Sequence, residues 1–329
     1  MLLIILWFKI PKLQINIDFS FLITNFAVMK EKNIIIDCVD SYNKILNVET
    51  RHPLVTVVDI KQNPQWVNGT TFHYHLYALF LKHGEGCSIR YGREKYDYQQ
   101  GTIVTFAPGQ SVEVFWNKDL PMPASRGLLF HPDLIYGTPL GKKISDYTFF
   151  AYSQREALHV AEREQKTVEA LLDQISSELE HPVDQHTQTL ITDSISLLLD
   201  YCMRYYDRQF ITRHKVCSDV LTAFEQNLNF YFEQGAPALN GLPTVAYFAD
   251  KACLSTGYFG DLIKRETGIT AQSHIQQAII NRSKQLIKAS DQPISNIAYE
   301  LGFQYVQHFT RLFKNKVGMT PVQFRNKAI

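Results

Sequence analysis

The sequence contains few cysteines, and they form no recognisable pattern. The five are odd in number, far apart and without a CxxC pair: Cys38, Cys87, Cys202, Cys217 and Cys253. This distribution suggests neither a disulfide framework nor a thiolate metal site, and it fits a reducing cytoplasm.

Long hydrophobic runs are also missing. The apolar run Met1–Phe8 has eight residues, whereas roughly 20 are needed to cross a bilayer. It also lacks a preceding basic residue and a small-residue cleavage pattern, so neither export nor membrane anchoring is predicted. A polar stretch begins at Met29. We therefore expect translation to start at Met29, with residues 1–28 as upstream sequence.

The chain has almost no excess charge of either sign, since 33 Lys and Arg residues face 32 Asp and Glu residues. A whole-chain field directed at nucleic acid, a membrane or an acidic ligand is therefore excluded. The balance hides two unequal parts, because residues 243–329 carry a net charge of +6 and residues 1–242 carry −5. A basic segment on an acidic remainder is typical of a DNA-binding domain joined to a regulatory domain.

Length and composition predict a multidomain α+β protein. With 329 residues, of which 45% are hydrophobic, two or three globular domains are expected. Between about Leu54 and Phe130, β-branched and aromatic runs alternate with glycine-containing turns, which predicts an antiparallel barrel or sandwich. The predicted strands are VTVVDI (55–60), FHYHLYALFL (72–81), CSIRY (87–91), TIVTF (102–106) and VEVF (112–115).

Glycine is absent from Gln154 to Phe232, and apolar residues recur there at helical spacing from Leu158 onward. This pattern predicts amphipathic helices, two of them separated by Pro182. The segment 233–241 contains Gly235, Pro237 and Gly241 and predicts a linker before the last part of the chain.

The last ninety residues contain an internal repeat. Six positions match at an offset of 50, five of them with the same residue: Phe259, Leu262, Ile263, Lys264, Gly268 and Thr270 match Phe309, Leu312, Phe313, Lys314, Gly318 and Thr320. Each copy predicts two short helices around a turn, which is the helix-turn-helix arrangement. We expect Ser255 to cap the second helix of the first copy and Thr320 to cap a closing helix. A helix from about Ala271 to Ala289 should join the copies.

These motifs resemble a known family. ISNIAYELGFQYVQHFTRLFKNKVGMTPVQFR (294–325) resembles the second helix-turn-helix signature of the AraC family of bacterial transcription regulators, and VAYFADKACLSTGYFGDLIKRETGIT (245–270) resembles the first. GTIVTFAPGQ (101–110) is similar to a strand pair in the cupin-type sensor barrel of that family. The resemblance implies an effector domain, a helical dimerisation region and paired DNA readers.

The implied boundaries are 29–150 for a cupin-like antiparallel β-barrel, 151–235 for a helical connector and 236–329 for an all-α double helix-turn-helix domain. Within the last domain, the motifs are expected at about 245–268 and 294–318. The implied protein is a cytoplasmic homodimer that binds double-stranded DNA and responds to a small effector. RNA polymerase is a further candidate partner.

The second recognition helix supplies the main candidates for reading DNA. Helical spacing places the following residues on or beside its outward face: Val306, Gln307, His308, Thr310, Arg311 and Lys314. Gln307 can pair with adenine and Arg311 with guanine, while Lys314 is better placed for phosphate. Val306 can contact a thymine methyl group. His308 is either a base contact or a half-buried packing residue.

The first recognition helix has an unusual outward face. Its candidates are Ser255, Thr256, Gly257, Gly260, Asp261 and Lys264. Asp261 can accept a hydrogen bond from cytosine N4, but a carboxylate beside phosphates is otherwise repelled. We therefore expect the first motif mainly to position the protein on DNA and the second motif mainly to specify the sequence.

The amino-terminal half leaves alternatives open. His73 and His75 resemble half of a cupin metal pair, but residues 76–82 and 110–116 lack the Glu and His that would complete it, so no metal or other cofactor is predicted. A cupin metalloenzyme remains the alternative function, together with a DNA-repair methyl-acceptor. The isolated cysteines give no context for the reactive thiol of such a protein.

Two further hypotheses concern regulation. The candidate effector-binding residues are Tyr74, Arg90, Tyr91, Arg93, Phe106 and Trp116, although a strand-rich aromatic core would look the same. The apolar stripe of the helix 190–206 continues past Leu199 towards Met203 and Tyr206. It is a candidate dimer surface, with packing inside the monomer as the alternative.

Overall fold

The computed structural model describes residues 33–60, 70–83, 101–114, 124–153, 156–212 and 214–328. The expected leader 1–28, the predicted strand 87–91 and Cys87 lie outside these ranges, as do four effector candidates, Arg90, Tyr91, Arg93 and Trp116. Within the described ranges, no helix combines the length and hydropathy that a membrane span requires.

The amino-terminal half forms two sheets. The strands are β1 (Asn33–Ile36), β2 (Val55–Ile60), β3 (Thr70–Tyr74), β4 (Tyr77–His83), β5 (Gly101–Phe106), β6 (Gln110–Val114), β7 (Ser125–Phe130) and β8 (Leu158–Val160). One sheet has the order β1-β3-β6 and the other has the order β2-β7-β4-β5-β8. The β1–β3 pairing is parallel and the remaining pairings are antiparallel. Helix α1 (Val39–Leu46) lies between β1 and β2.

The predicted strand 72–81 is wrong as a single strand, because a turn at His75 and Leu76 divides it into β3 and β4. The His75 N–H donates to the Ile36 carbonyl at 2.8 Å, which stabilises the turn. The two halves join different sheets. The alternation of apolar side chains continues through the turn, with Phe72, Tyr74, Leu76 and Ala78 all buried, so the sequence pattern shows no break.

The two sheets pack face to face. Their shared core includes Phe72, Tyr74, Phe80, Phe106 and Val112. The other face of the five-stranded sheet packs against helices, which explains why β5 is buried along its whole length. Neither sheet closes on itself in the part of the chain that the structure describes. The structure therefore shows a β-sheet region, and the closed cupin barrel stays a prediction.

After strand β7 the chain forms two short helices, α2 (Pro132–Ile135) and α3 (Pro139–Lys143). Three long helices come later in the chain: α4 (Glu162–Glu178), α5 (Thr187–Thr212) and α6 (His214–Glu233). The break between α4 and α5 contains Pro182, as predicted. The helical pattern was predicted to begin at Leu158, and this start is wrong. Leu158 lies in strand β8 and pairs with Ile103. The predicted linker contains a short helix, α7 (Ala236–Asn240).

The last part of the chain consists of helices. They are α8 (Val245–Lys251), α9 (Thr256–Thr267), α10 (Ala271–Ala289), α11 (Ile294–Glu300), α12 (Val306–Val317) and α13 (Pro321–Ala328). The helix α10 joins the two copies of the repeat at the predicted residues. The core of this region is continuous with the core beneath the five-stranded sheet, because buried residues from both belong to one hydrophobic cluster.

Candidate nucleic-acid interface

The two copies of the repeat form the same turn. In the first copy, the N–H groups of Cys253 and Leu254 donate to the carbonyls of Asp250 and Ala249, both at 3.0 Å. In the second copy, the same two bonds form 49 positions later, again at 3.0 Å. Cys253 and Gly302 occupy the equivalent left-handed position, with φ values of 56° and 87°. The predicted duplication is therefore present in the backbone hydrogen bonds.

The capping residues also agree with the sequence prediction. The Ser255 hydroxyl accepts the Tyr258 N–H at 3.2 Å and begins α9. Thr320 and Gln323 form a reciprocal capping box at the start of α13, with bonds of 3.2 and 2.9 Å. Gly268 and Gly318 end the two recognition helices in the left-handed conformation. The first recognition helix therefore begins at the predicted cap Ser255, and both recognition helices end at a glycine.

The second recognition helix, α12, presents a free and basic face. Gln307, His308, Arg311 and Lys314 are exposed, while Val306 and Thr310 are half-buried. The opposite face is anchored by Phe309 and Phe313, both fully buried. The helix contains three basic residues and no acidic residue. This arrangement suits insertion into a major groove, where exposed side chains near the helix start meet base edges.

The His308 ring is exposed rather than half-buried, and it packs against the Tyr305 ring at 5.5 Å. Among the described residues, no hydrogen bond or ion pair occupies the side chains of Gln307, Arg311 or Lys314. All three polar side chains are therefore available to a ligand. Their assignment to particular bases and phosphates stays a prediction.

The first recognition helix, α9, has a different environment. Thr256 and Lys264 are exposed, whereas Gly257, Gly260 and Asp261 are half-buried. The Tyr152 hydroxyl, which belongs to the amino-terminal half, donates to Asp261 Oδ2 at 2.7 Å. Burial, reinforced by the Asp261 carboxylate, raises the pKa of Tyr152 far above its usual range, so this hydroxyl keeps its proton. The outward face of α9 therefore contacts protein in this structure.

A buried carboxylate meets the start of α9. Glu156 is 1% exposed and accepts the N–H of Ser153 at 2.7 Å and the N–H of Ser255 at 2.6 Å. The Ser255 hydroxyl also donates to Glu156. A carboxylate at this position is favoured by the positive end of the α9 helix dipole. Neither Glu156 nor Tyr152 was predicted from the sequence, because each lies about a hundred residues before its partner.

The remaining candidates from the amino-terminal half are placed as follows. The rings of Tyr74 and Phe106 stack with their centroids 5.2 Å apart inside the core between the sheets. This arrangement is that of a packed protein interior. His73 Nδ1 lies 2.7 Å from the Ser111 hydroxyl, while His75 is exposed in the turn. No cluster of three His, Cys, Asp or Glu side chains suited to a metal occurs among the described residues.

An open cleft of about 600 Å³ separates the amino-terminal half, the expected sensor and called the sensor half below, from the first helix-turn-helix unit. Aromatic side chains of the amino-terminal half line one side of the cleft, with Tyr77, Tyr147 and Phe150 among them. Asp261 and Lys264 of α9 line the other side. Of the two effector candidates that the structure describes, Tyr74 and Phe106, neither lines this cleft.

The candidate dimer surface on α5 is divided between interior and surface. Tyr206 is buried and its ring stacks on Phe149 at 5.5 Å, so this residue packs within the monomer. Leu190 and Leu197 are about half exposed, at 50% and 46%. Tyr206 is therefore not available for a dimer contact, and the dimer surface on this helix stays a prediction.

Comparison with known proteins agrees with the repeat. A family model described as "Helix-turn-helix domain" matches residues 248–327. The HTH-type transcriptional activator RhaR of Escherichia coli O139:H28 (strain E24377A / ETEC) is 27% identical over 155 residues, which cover 46% of this chain and 53% of RhaR. The chain thus spans about half the length of the curated relatives it matches.

Two solved structures are also similar. The C-terminal domain of AraT, a response regulator from Geobacillus stearothermophilus, is 23% identical with a TM-score of 0.30, and the match covers 33% of this chain and 84% of that chain. A transcriptional regulator from Chromobacterium violaceum, described among AraC-type DNA-binding domain-containing proteins, is 20% identical with a TM-score of 0.27 and coverages of 32% and 96%. The duplicated turn geometry lies in the segment that the family model matches, so this segment is similar to the helix-turn-helix domain that the model describes and to the matching part of RhaR.

Proposed function

We propose that the protein is a sequence-specific DNA-binding transcription regulator that reads DNA with two recognition helices. In this proposal, the helices enter successive major grooves on one face of the duplex, about 34 Å apart. The observation that carries the proposal is the exposed basic face of α12, with Gln307, Arg311 and Lys314 free of bonds to the described residues. These side chains combine donors for base edges with a cation for phosphate.

The two recognition helices differ in charge, which supports a division of labour. The helix α12 has a formal charge of +3, whereas α9 carries Asp261 and Glu266 beside Lys264 and Arg265 and is neutral. Phosphate attraction therefore favours α12. We propose that the second motif specifies the sequence and that the first motif mainly positions the protein on DNA.

A small effector would bias this activity. The cleft between the sensor half and α9 supports the idea, because its volume of about 600 Å³ suits a small molecule and its walls come from both halves. A ligand that binds one arrangement of the two halves more tightly would shift the population towards that arrangement. We further propose that the protein works in the cytoplasm as a homodimer, with RNA polymerase as a candidate partner.

A regulatory rather than catalytic role is favoured over the two enzyme alternatives. RhaR, which resembles the chain over 155 residues, is an HTH-type transcriptional activator. For the metalloenzyme alternative, His73 is already engaged with Ser111 and His75 lies outside the sheet. For the methyl-acceptor alternative, Cys202 and Cys217 are buried, while the exposed Cys38 and Cys253 stand in no recognisable reactive-thiol context. Burial raises the pKa of the Cys202 thiol to about 12, which suppresses the reactive thiolate.

Selection of bound duplexes from a random-sequence pool tests the proposal directly. The selection should enrich one sequence, and the logarithm of the affinity should fall linearly with the logarithm of salt concentration as bound counterions are released. Repeating the titration at about 50 and 200 mM salt separates phosphate attraction from base reading. Equal affinity for selected and unselected duplexes would remove the claim of sequence specificity.

A further inference from the structure

The base-reading face of the first recognition helix is the face that packs on the sensor half. Gly257 lies against the short 3-10 helix Thr148–Ala151. A Cβ built on Gly257 would be 3.5 Å from Ala151 Cβ and 3.5 Å from Tyr152 Cδ1. Asp261, one turn further on, accepts the Tyr152 hydroxyl. Both residues belong to the outward face that sequence spacing assigns to DNA.

The end of α5 completes this contact. Arg265 forms an ion pair with Asp207, and its guanidinium lies over the Phe210 ring at 4.8 Å. The Tyr258 ring packs against Phe210 at 4.8 Å and against Tyr152 at 5.2 Å. The helix α9 is thus held along one side by aromatic packing and at several points by polar bonds.

The two copies of the repeat diverge at the residues that make these contacts. Fifty positions after Gly257, Tyr258, Asp261 and Arg265, the second copy has Gln307, His308, Arg311 and Asn315. The helix α12 therefore carries exposed polar side chains where α9 carries a glycine, a buried tyrosine and an acid. The unusual face of α9 is explained by complementarity to the sensor half.

The carboxylate of Glu156 occupies the part of α9 that would approach DNA phosphates. Backbone N–H groups at the start of a recognition helix commonly bond to phosphate oxygens. Here the N–H and hydroxyl of Ser255 already bond to Glu156. A phosphate at the same place would meet both a filled site and a like charge.

From this geometry we infer that the structure is an autoinhibited state, in which the sensor half masks the first recognition helix. The inference rests on the proposed DNA-binding function. A duplex cannot enter the space that Ala151, Tyr152 and Glu156 occupy, so α9 reads DNA only after it separates from them. Because α12 stays exposed, the masked protein keeps the second recognition helix and loses the first. The apparent affinity for binding with both helices then equals the intrinsic affinity multiplied by the undocked fraction.

An engineered disulfide tests this inference in the full chain. Ala151→Cys combined with Gly257→Cys suits a disulfide, since a Cβ separation of 3.5 Å lies in the normal range of about 3.5–4.5 Å. The exposed Cys38 and Cys253, together with Cys87, are replaced by serine in every variant. The controls are the Ala151→Cys and Gly257→Cys single variants, each titrated under oxidising and reducing conditions.

Binding is measured on the duplex selected from the random pool and on unselected duplexes at about 50 mM salt. The oxidised double variant should bind at least tenfold more weakly than its own reduced form, and the single variants should show no such difference. Conversely, Glu156→Gln combined with Tyr152→Phe should tighten duplex binding. Both changes weaken the docked state, and neither residue lies in the double helix-turn-helix region.

Three outcomes would contradict the expectation, and they are distinguishable. If oxidation forms no disulfide, the docked arrangement is not populated in solution and the inference is wrong. If the disulfide forms and the affinity is unchanged, the masking is wrong while DNA binding stands. If neither the reduced variants nor the wild type binds any duplex, the proposed function itself fails.

Discussion

Replacing Gly302 with alanine should destabilise the second helix-turn-helix unit more than the same change at Gly318. Both glycines end helices in the left-handed region, with φ values of 87° and 83°. An alanine there costs about 1–2 kcal/mol in backbone strain, partly offset by about 0.4–1 kcal/mol from restricting the unfolded chain. Each substitution should therefore cost roughly 1 kcal/mol from conformation alone.

Packing separates the two positions. A Cβ on Gly302 would lie 2.7 Å from the Gly241 carbonyl carbon and 2.9 Å from both the Leu242 nitrogen and the Pro237 oxygen. These are backbone atoms that cannot rotate away, so overpacking should add about 1–3 kcal/mol. A Cβ on Gly318 has no neighbour within 4 Å among the described residues. We expect a total loss of about 2–4 kcal/mol for Gly302→Ala and about 1 kcal/mol for Gly318→Ala.

Urea unfolding followed by far-ultraviolet circular dichroism measures both losses, because the affected region is entirely helical. The m value reports whether the two variants unfold the same surface as the wild type. A difference below about 0.5 kcal/mol between the variants would refute the reasoning, since additivity errors are of that size. It would mean that the segment 237–242 does not pack against the second turn in solution.

Further predictions concern DNA reading, thiol reactivity and alkaline stability. Arg311→Ala should cost about 1–3 kcal/mol on the selected duplex and relax specificity at one base pair, whereas Lys314→Ala should weaken all duplexes similarly and reduce the salt slope by about one. Binding titrations at two salt concentrations distinguish these outcomes. Thiol alkylation at neutral pH, read by peptide mass spectrometry, should modify the exposed Cys253 and spare Cys202, whose thiol is buried and has a pKa of about 12. Modification of both at equal rates in the folded protein would contradict the packing. Burial raises the pKa of Tyr206 well above its usual value, so its contribution to stability is complete below pH 10 and falls as the unfolded state loses its proton above that pH. Tyr206→Phe should flatten that alkaline fall in unfolding free energy by up to about 1.4 kcal/mol per pH unit.

Local signals in the sequence were sufficient to predict the helices of the double helix-turn-helix region, residues 236–329. The caps at Ser255 and Thr320 and the glycines at 268 and 318 act within a few residues of the helix ends they terminate. The start of α10 follows a similar short-range signal, because the Thr270 hydroxyl accepts the Ser273 N–H. Such features depend on backbone groups that are close in the chain, so one sequence is enough to predict them.

The strands and aromatic residues of the amino-terminal half were predicted less well, for physical reasons. A turn at His75 and Leu76 leaves the alternation of buried side chains intact, so β3 and β4 look like one strand. Aromatic residues on strands can fill a core or line a cavity, and Tyr74 and Phe106 fill the core. Burial on each face of a strand depends on which other strands and helices pack there, and this information is not local.

The sequence alone determined the duplicated helix-turn-helix unit and its caps. It also determined how a net charge near zero divides into an acidic part and a basic part. It also showed that the outward face of the first recognition helix carries two glycines and an acid. Only the tertiary structure decided what this face contacts, since it brings Tyr152 and Glu156 onto Asp261 and Ser255 across about a hundred residues. Such contacts follow from the packing of whole elements, and the free energy of that packing depends on partners that no local pattern specifies.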